Sequence, residues 1–452
     1  MNKLIDARCF WGMAKAMVFS MGLMAAPSLQ PVEASGDPYS GYSNTVSYML
    51  PYAGGTSFAP GSTQDVRIDV TIAGKSHIFN VDTGSRGLYA SSTELGSDFT
   101  ISPNAYRGEI DLDSSGRVSY GWWTPATLTF KVKDHNGDDQ TVTSTPYILD
   151  VTTLGAQLGR TASFGVDTSV PGYDGTVKLV GGGTVQVTKD KAGKDVVLLT
   201  RSKTVNERVS YAGNIKGLIK DVSNFGIGFD LSGAAGGTGP VGDNMNQIYN
   251  PLINLDKMKD GTLVGGYIIK IDGIQLGLTD KDSGYAYTTL NATGLTSAYS
   301  APDWQTPMGQ TVAKGVTNLP GSVVMDSGIP NAFISAPGLT IKKTITTPMD
   351  VFLMNSAGAV GYHIDLTDKT NVLNPQSVLV VAHGTTGTYS QTQPPYQAQF
   401  FNTGRNVFKA FNMLYDAQNG YMGVLPNSYG ATDSHIFFKA QAGGYPNPLD
   451  EP

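Results

Sequence analysis

The chain has 452 residues, of which 40% are apolar and 15% are charged, and its formal net charge is −6. This length and apolar fraction allow one large bilobal fold, or two to three domains that each have a core. The chain contains no run of Lys and Arg residues, so the composition argues against nucleic acids and anionic membrane surfaces as partners.

The first 34 residues have the pattern of an export signal. Three basic residues precede an apolar run at 16–26, and a small-residue cleavage site ends at Ala34. The apolar run is shorter than the ~20 residues that span a bilayer. We therefore predict a signal peptide over 1–34 and a mature protein that is secreted (extracellular or periplasmic) without a membrane span.

The single cysteine, Cys9, lies inside this signal. We expect a mature protein without disulfides, although its destination is oxidising. A thiol nucleophile and a zinc site with cysteine ligands are excluded for the same reason. The five histidines show no metal-ligand spacing, and the calcium-loop-like run that begins at Asp111 has Trp122 where the last acidic ligand belongs. The sequence therefore predicts no metal and no cofactor.

Short segments in which apolar and polar residues alternate dominate the rest of the chain, as is typical of antiparallel sheets. The predicted strands lie at 65–74, 76–81, 116–121, 126–134, 267–277, 321–326 and 411–416. Helices are predicted at 250–261, between the N-cap Asn250 and the terminal Gly261, and at 403–411. We therefore predict an all-β fold with few short helices.

Several segments are predicted to lie outside the sheets. Residues 155–216 and 278–320 are rich in Gly, Thr, Asp and Lys and are expected to be long surface insertions. The segment 233–243 contains a formal G-x-G-x-x-G pattern, but Pro240 interrupts it, so we interpret it as a loop. Residues 428–452 are expected to form a polar C-terminal tail.

Two stretches of the chain place an aspartate, a small hydroxyl residue and a glycine directly after an apolar strand. The first, VDTGSRGLYAS, contains Asp82, and the second, MDSGIPNAFIS, contains Asp326. They align without a gap, and each has an aromatic residue seven positions after the aspartate, Tyr89 in one and Phe333 in the other. Turn composition alone rarely produces two such windows, so we expect them to be two halves of one site.

These motifs make the chain resemble the pepsin-like aspartic proteases. The resemblance covers about residues 45–427, with the insertions unmatched. It implies two β-rich lobes, here 35–262 and 263–427, which each supply one aspartate to a central cleft beneath a flap hairpin. Further segments in matching order are the flap region at 118–130, the strand at 224–230 and the closing strands at 404–426.

The resemblance implies that Asp82 and Asp326 are catalytic and share one proton. Two carboxyl groups so close cannot both ionise near their usual pKa, so one can donate a proton while the other accepts one from water. Thr83 and Ser327 are expected to hydrogen-bond across the lobe junction. The remaining supporting residues of the two turns are Gly84, Ser85 and Gly328: the glycines admit close backbone approach, and Ser85 donates to Asp82.

The resemblance also assigns roles around the flap. Tyr120, followed by Gly121, is expected to lie on a mobile hairpin and to close over substrate. Trp122 and Trp123 are expected at the tip, where they would contact substrate side chains, and packing of both on the lobe is the alternative. Tyr89 stands where a tryptophan often supports the flap tyrosine.

Three features depart from the family pattern. Ile329 stands where the family usually has a hydroxyl residue or alanine, and Pro330 follows it. FNTG at 401–404 is a poor version of the apolar-apolar-Gly segment that supports the second turn. Because Ile329 offers no donor, we predict that the pair of carboxyl groups titrates higher than in typical pepsins and that activity extends towards neutral pH.

The resulting prediction is a monomeric, secreted aspartic endopeptidase that binds an extended peptide or protein substrate as an added strand. One alternative is a pepsin-fold binding or surface protein with little or no proteolytic activity. Another is a β-rich glycan-binding or glycosidase protein that uses the same two aspartates. Glycosidases need carboxyl separations of about 5–5.5 or 6.5–9.5 Å, whereas a protease needs hydrogen-bond distance.

Overall fold

The computed structural model describes residues 45–112, 115–220, 222–229, 250–292, 304–313, 320–335, 344–353, 358–381 and 400–440. About half of these residues form strands, and the two α-helices among them, α1 (Ser92–Leu95) and α2 (Asp256–Lys259), are single turns. The predicted all-β class is therefore confirmed. The predicted signal peptide and the segment 233–243 lie outside the described residues. Among the described helices, none has the length and apolar character that crossing a membrane requires.

The described chain up to residue 227 contributes the strands β1 to β16. They are β1 Tyr48–Pro51, β2 Arg67–Ile72, β3 Lys75–Asp82, β4 Arg86–Ser91, β5 Tyr106–Leu112, β6 Arg117–Pro125, β7 Leu128–Lys133, β8 Asp139–Ser144, β9 Tyr147–Ala156, β10 Arg160–Gly165, β11 Thr176–Lys178, β12 Thr184–Gln186, β13 Thr188–Lys189, β14 Asp195–Arg201, β15 Val209–Ser210 and β16 Ser223–Ile227.

The later part of the described chain contributes β17 to β30. They are β17 Val264–Ile269, β18 Gly273–Leu278, β19 Ala286–Thr289, β20 Met308–Ala313, β21 Pro320–Val324, β22 Ala332–Ser335, β23 Thr344–Ile345, β24 Met349–Phe352, β25 Gly358–Ile364, β26 Val378–Val380, β27 Phe400–Asn402, β28 Phe411–Asp416, β29 Tyr421–Pro426 and β30 Ile436–Ala440. Short 3₁₀ turns lie at Ala53–Gly55, Pro251–Ile253, Asp280–Asp282, Arg405–Lys409 and Gly430–Thr432.

Two large sheets contain most of these strands. The first has the order β19-β29-β28-β17-β18-β1-β7-β2-β3-β16-β4-β9-β6-β5, with β8 paired to β7 and β15 paired to β9. The second has the order β23-β26-β22-β27-β21-β20-β24-β25-β30. Because β1 pairs with β18, the first sheet combines strands from the beginning, middle and end of the chain. The expected boundary at residue 262 therefore does not separate the two sheets.

Alternation in the sequence decides which face of an outer strand is buried. In β2, Ile68, Val70 and Ile72 are buried while Asp69 is exposed, as a side-chain period of two requires. The central strand β4 is buried at every residue. The largest apolar cluster takes side chains from both large sheets, so burial of apolar area holds the two sheets together.

The two predicted helices are shorter than expected. The first is divided into the 3₁₀ turn Pro251–Ile253 and α2, although Asn250 caps the turn and Gly261 follows with φ +81° as predicted. The division arises because Leu255 is extended and forms a bridge with the end of β8. The second predicted helix is the 3₁₀ turn Arg405–Lys409.

Residues 155–216, which were predicted to be a long surface insertion, have regular structure of their own. They contain β10 to β14, which form a three-stranded and a two-stranded sheet around a second apolar cluster that includes Phe164, Val197 and Leu199. The segment 278–320 likewise contributes β19 to the first sheet and β20 to the second. The predicted tail is also corrected, since β30 pairs with β25. In each case the turns between short strands dominate the composition and conceal the strands.

One arrangement of seven strands occurs twice, and this duplication positions the candidate site. The order is β8-β7-β2-β3-β16-β4-β9 in the first copy and β25-β24-β20-β21-β27-β22-β26 in the second, and the chain visits the matching strands in the same sequence. All six neighbouring pairs agree in direction: β3–β16, β4–β9 and their counterparts are parallel, and the others are antiparallel.

Candidate active site

Each of the two predicted aspartates lies in a turn at the matching place of its copy. Asp82 ends β3, and Asp326 follows β21 by two residues. A later strand lies between the two arms of each turn: β16 pairs with β3 and β4, and β27 pairs with β21 and β22. Because this strand separates the arms, the turn between them stays open and its residues project from the end of the sheet.

The two turns meet face to face. A Cβ atom built on Gly84 would lie 2.1 Å from Cγ of Asp326, and one built on Gly328 would lie 2.6 Å from Cγ of Asp82. The backbone of each turn therefore packs directly on the carboxyl group of the other, which requires glycine. The charge of Asp82 and a hydrogen bond with its carboxyl group both contribute to raising the pKa of Asp326, so the two groups interact directly. The structure thus brings the two aspartates together.

Thr83 and Ser327 join the turns through reciprocal hydrogen bonds. The Thr83 N–H donates to Oγ of Ser327 (3.0 Å), and the Ser327 N–H donates to Oγ1 of Thr83 (2.9 Å). The two hydroxyls donate in turn to the carbonyl oxygens of Met325 (2.6 Å) and Val81 (2.8 Å). Both side chains are buried, so water does not compete for these bonds. They fix the position of one turn relative to the other.

Three donors surround the carboxyl group of Asp82. The Gly84 N–H donates to Oδ1 (2.8 Å), while the Ser85 hydroxyl (2.6 Å) and the Asn224 amide (3.0 Å) both donate to Oδ2. The Asn224 amide also donates to Oγ of Ser85 (2.9 Å), which orients that hydroxyl. Donors of this kind favour the ionised form of a carboxyl group.

Two donors face the carboxyl group of Asp326. The Gly328 N–H donates to Oδ1 (2.8 Å), and the Asn402 amide donates to Oδ2 (2.6 Å). Ile329 offers no hydroxyl, as the sequence showed, but the second turn does not lack a side-chain donor, because Asn402 supplies one. The expectation that FNTG supports the second turn poorly is therefore wrong, because its asparagine supports the turn in place of an apolar pair.

The role of both asparagines was missed from the sequence, although a signal for it is present. NFG at 224–226 and NTG at 402–404 share the pattern Asn-x-Gly. In the parallel pairing of each copy, Asn224 lies opposite the residue two before Asp82, and Asn402 lies opposite the residue two before Asp326. The shared register makes the two asparagines structural equivalents.

Burial makes the proton balance of the pair unequal. The Asp326 side chain is 5% exposed, whereas Asp82 is only partly buried. Burial and, to a smaller extent, the charge of Asp82 raise the pKa of Asp326 to about 8, against the opposing effect of the Asn402 and Gly328 donors. Asp326 is therefore the carboxyl group that keeps a proton when one remains on the pair.

Backbone contacts also hold the second turn where the sequence departs from the family pattern. The carbonyl oxygen of Ile329 accepts the Arg405 N–H (2.8 Å), and that of Pro330 accepts the Gln376 N–H (3.0 Å). In the first turn, the carbonyl oxygen of Ser85 accepts the Gly228 N–H at 2.8 Å. Ile329 and Pro330 therefore leave the turn as firmly tied to its neighbours as the first one is.

Tyr120 lies on a hairpin but within a paired strand. It is in β6, which pairs with β5 on one side and along its whole length with β9 on the other, several residues from the hairpin turn. Arg201 donates to its hydroxyl (3.2 Å), and the Arg208 guanidinium lies 4.6 Å from the ring centroid. No contact joins Tyr120 to the aspartates in the described part of the chain. Tyr120 thus lies on a hairpin, as expected, but in a strand that is paired on both sides, and these contacts do not support its closing over substrate.

The expected position of the two tryptophans at the hairpin tip is wrong, because they lie at the far end of β6, opposite Arg107 and Tyr106. Trp123 is 1% exposed, so it packs within the lobe, and the guanidinium of Arg107 lies 4.9 Å from the ring centroid of Trp122. Alternating aromatic residues in a long strand produced the misleading match.

Gly121 and Tyr89 have local structural positions. A Cβ atom on Gly121 would lie 1.9 Å from the carbonyl oxygen of Asp150, so the glycine permits the close approach of β6 and β9 at an irregularity in their pairing. Tyr89 is buried in the second apolar cluster and lies opposite Asn224 in the pairing of β4 with β16.

Comparison with models of protein families and with curated proteins gives no match for this chain. The described residues contain no group of three or more His, Cys, Asp or Glu side chains arranged to hold a metal ion.

Proposed function

We propose that this protein is an exported aspartic endopeptidase of the pepsin-like kind, whose two lobes correspond to the two copies of the strand arrangement. One observation carries the proposal: Asp82 and Asp326 each lie against the glycine of the opposite turn, which brings the two carboxyl groups together. Export is inferred from the pattern of residues 1–34.

The unequal surroundings of the two carboxyl groups suit peptide hydrolysis. Asp82 is the base, because three donors stabilise its charge, and it takes a proton from a water molecule held between the carboxyl groups. Asp326 gives its proton to the carbonyl oxygen of the peptide as the water oxygen bonds to the carbon. When the C–N bond breaks, Asp82 passes its proton to the leaving nitrogen and Asp326 recovers one from the tetrahedral intermediate.

Carboxyl separation argues for this reaction over glycoside hydrolysis. Retaining glycosidases need carboxyl groups about 5–5.5 Å apart and inverting ones about 6.5–9.5 Å, so that a sugar or a water fits between them. Asp82 and Asp326 interact directly, with each turn glycine packed on the opposite carboxyl group, which favours the shorter spacing of a protease pair. The pair instead has the spacing at which one proton is shared.

The test is cleavage of a denatured protein between pH 3 and pH 8. We expect Asp82→Asn and Asp326→Asn each to lose about 1,000-fold in rate, since removal of a general acid or base typically costs 100- to 10,000-fold. Asp138→Asn, which changes an exposed acid in a turn, is the matched control and should retain the rate. Equal cleavage by all four proteins would refute the proposal, and cleavage by none would favour the binding-protein alternative.

A further inference from the structure

The donors of the two turns share one feature and differ in another. Asn224 and Asn402 occupy the same register, and each donates its amide to Oδ2 of the nearby aspartate, at 3.0 and 2.6 Å. The third residue after the aspartate differs: Ser85 donates a hydroxyl in the first turn, whereas Ile329 has none in the second. The first carboxyl group therefore receives an asparagine and a hydroxyl, and the second receives an asparagine alone.

Asn402 is built into the second turn as a fixed donor. Its side chain is 7% exposed, and its Oδ1 accepts the Gly404 N–H (2.9 Å). With Oδ1 occupied in this way, Nδ2 is the end of the amide that faces Asp326. The short distance and the burial make this bond the main side-chain stabilisation available to an ionised Asp326.

We propose that Asn402 replaces the hydroxyl donor absent at Ile329 and is the positioning residue that sets how tightly Asp326 holds the shared proton. Asn224 is its counterpart on Asp82, and Ser85 makes the arrangement unequal. The relevance of Asn402 to catalysis rests on the proposed function. The proton balance itself is a property of the folded chain and is measurable without any substrate.

Few charged groups compete with this assignment. Asp82 is the titratable group that acts on Asp326 from the opposite turn. Arg405, next to the second turn, directs its guanidinium to Asp65 and to the carbonyl oxygen of Thr63, away from the pair. Arg86 follows Ser85 and is fully buried, and the main causes of the pKa shift of Asp326 are burial, Asp82, Asn402 and Gly328.

The sign of the pH dependence follows from the raised pKa of Asp326. In the unfolded chain the carboxyl group titrates near 4, and in the folded chain it titrates near 8. Its contribution to stability is therefore complete below about pH 4 and is lost as the pH rises towards 8. The pH at which this loss ends reports the proton affinity of the folded pair and is the quantity to measure.

The experiment is denaturant unfolding of the full chain across pH 3–10, with Asp326→Asn as the variant that should abolish this loss. Asn402→Ala should move the end of the loss upward by about one pH unit, a tenfold gain in proton affinity, since one hydrogen bond to the charged form is removed. Ile329→Ser should move it downward, because it supplies the missing hydroxyl, and the double variant should return towards the wild type. Asn250→Ala, which truncates another buried asparagine bound to backbone groups, should change stability but not this pH.

The outcomes separate the two proposals. If Asn402→Ala folds and its loss of stability ends at the wild-type pH, or if Ile329→Ser leaves that pH unchanged, Asn402 does not set the proton affinity. If the shifts occur and no variant cleaves a protein substrate, the role of Asn402 stands and the protease proposal fails. In an active enzyme, the upper limb of the pH–rate profile should move in the same direction as the stability curve.

Discussion

The two turns that carry Asp82 and Asp326 are built on the same backbone and differ in their side chains. In both, a strand inserted between the arms opens the turn, and a glycine packs on the opposite carboxyl group. The first turn gives its aspartate three donors and partial exposure, whereas the second gives two donors and deep burial. Strand register therefore positions the two carboxyl groups, while a few side chains and burial decide which of the two carboxyl groups holds the proton.

The copies also differ in what surrounds them. In the first copy the hairpin β5/β6 lies along the chain between β4 and β7. At the matching place of the second copy, between β22 and β24, the described residues contain β23. The small sheets of residues 157–216 then pack on this hairpin through Arg201 and Arg208. Residues outside the duplicated strands therefore hold the hairpin in place. Substitutions at the turn glycines, at the junction of the turns and at Tyr120 test these differences.

The largest effect is expected at the two turn glycines. Gly84→Ala should lower the free energy of unfolding by about 4 kcal/mol or more, because its Cβ would overlap the buried Asp326 carboxyl group. Gly328→Ala should cost less, since the gap to Asp82 is wider and that group is more exposed. Denaturant unfolding measures both values.

Gly181→Ala is the control for the glycine variants, since a Cβ atom there meets nothing within 4 Å and its φ is not positive. It should change the free energy of unfolding by less than about 1 kcal/mol. A similarly small change in Gly84→Ala would show that the turns do not approach as closely as the comparison requires.

An intermediate effect is expected where the turns are joined. Thr83→Val and Ser327→Ala should each cost about 1–3 kcal/mol, because each leaves buried partners without a hydrogen bond. The double variant should cost less than the sum, since the two side chains share their bonds. Thr311→Val is the control, because the hydroxyl of Thr311 is buried and has no hydrogen-bond partner among the described residues. Additive losses would mean that the turns are held independently.

The smallest effect is expected at Tyr120. Tyr120→Phe removes a half-buried hydroxyl that accepts from Arg201, so it should cost less than about 1 kcal/mol of stability. Cleavage should stay within about threefold of the wild type, since the side chain lies in a paired strand away from the aspartates. Tyr120→Leu tests the ring contact with Arg208 in the same assays. A loss of more than tenfold in Tyr120→Phe would restore a direct role for the hydroxyl.

Parts of the structure were open to prediction because they depend on local pattern. Alternation predicted several of the strands, such as β2 and β7, and Asn250 and Gly261 correctly mark the two ends of a helical segment. The gap-free match of two motifs paired Asp82 with Asp326. The placement of Trp122 and Trp123 at the hairpin tip was wrong because an aromatic pattern does not say which residues of a hairpin form its turn. The small sheets went unrecognised because their strands are two to seven residues long.

The amino-acid sequence by itself determined an all-β chain with two equivalent aspartate turns, since side-chain alternation and the Asp-Thr/Ser-Gly motif are properties of short segments. Only the tertiary structure decided that Asn224 and Asn402 face those aspartates, because the asparagines lie 142 and 76 residues further along the chain and reach them through parallel strand pairing. The unequal proton affinity of the two carboxyl groups was decided there as well. Burial and donor count depend on which segments meet, and no single segment contains that information.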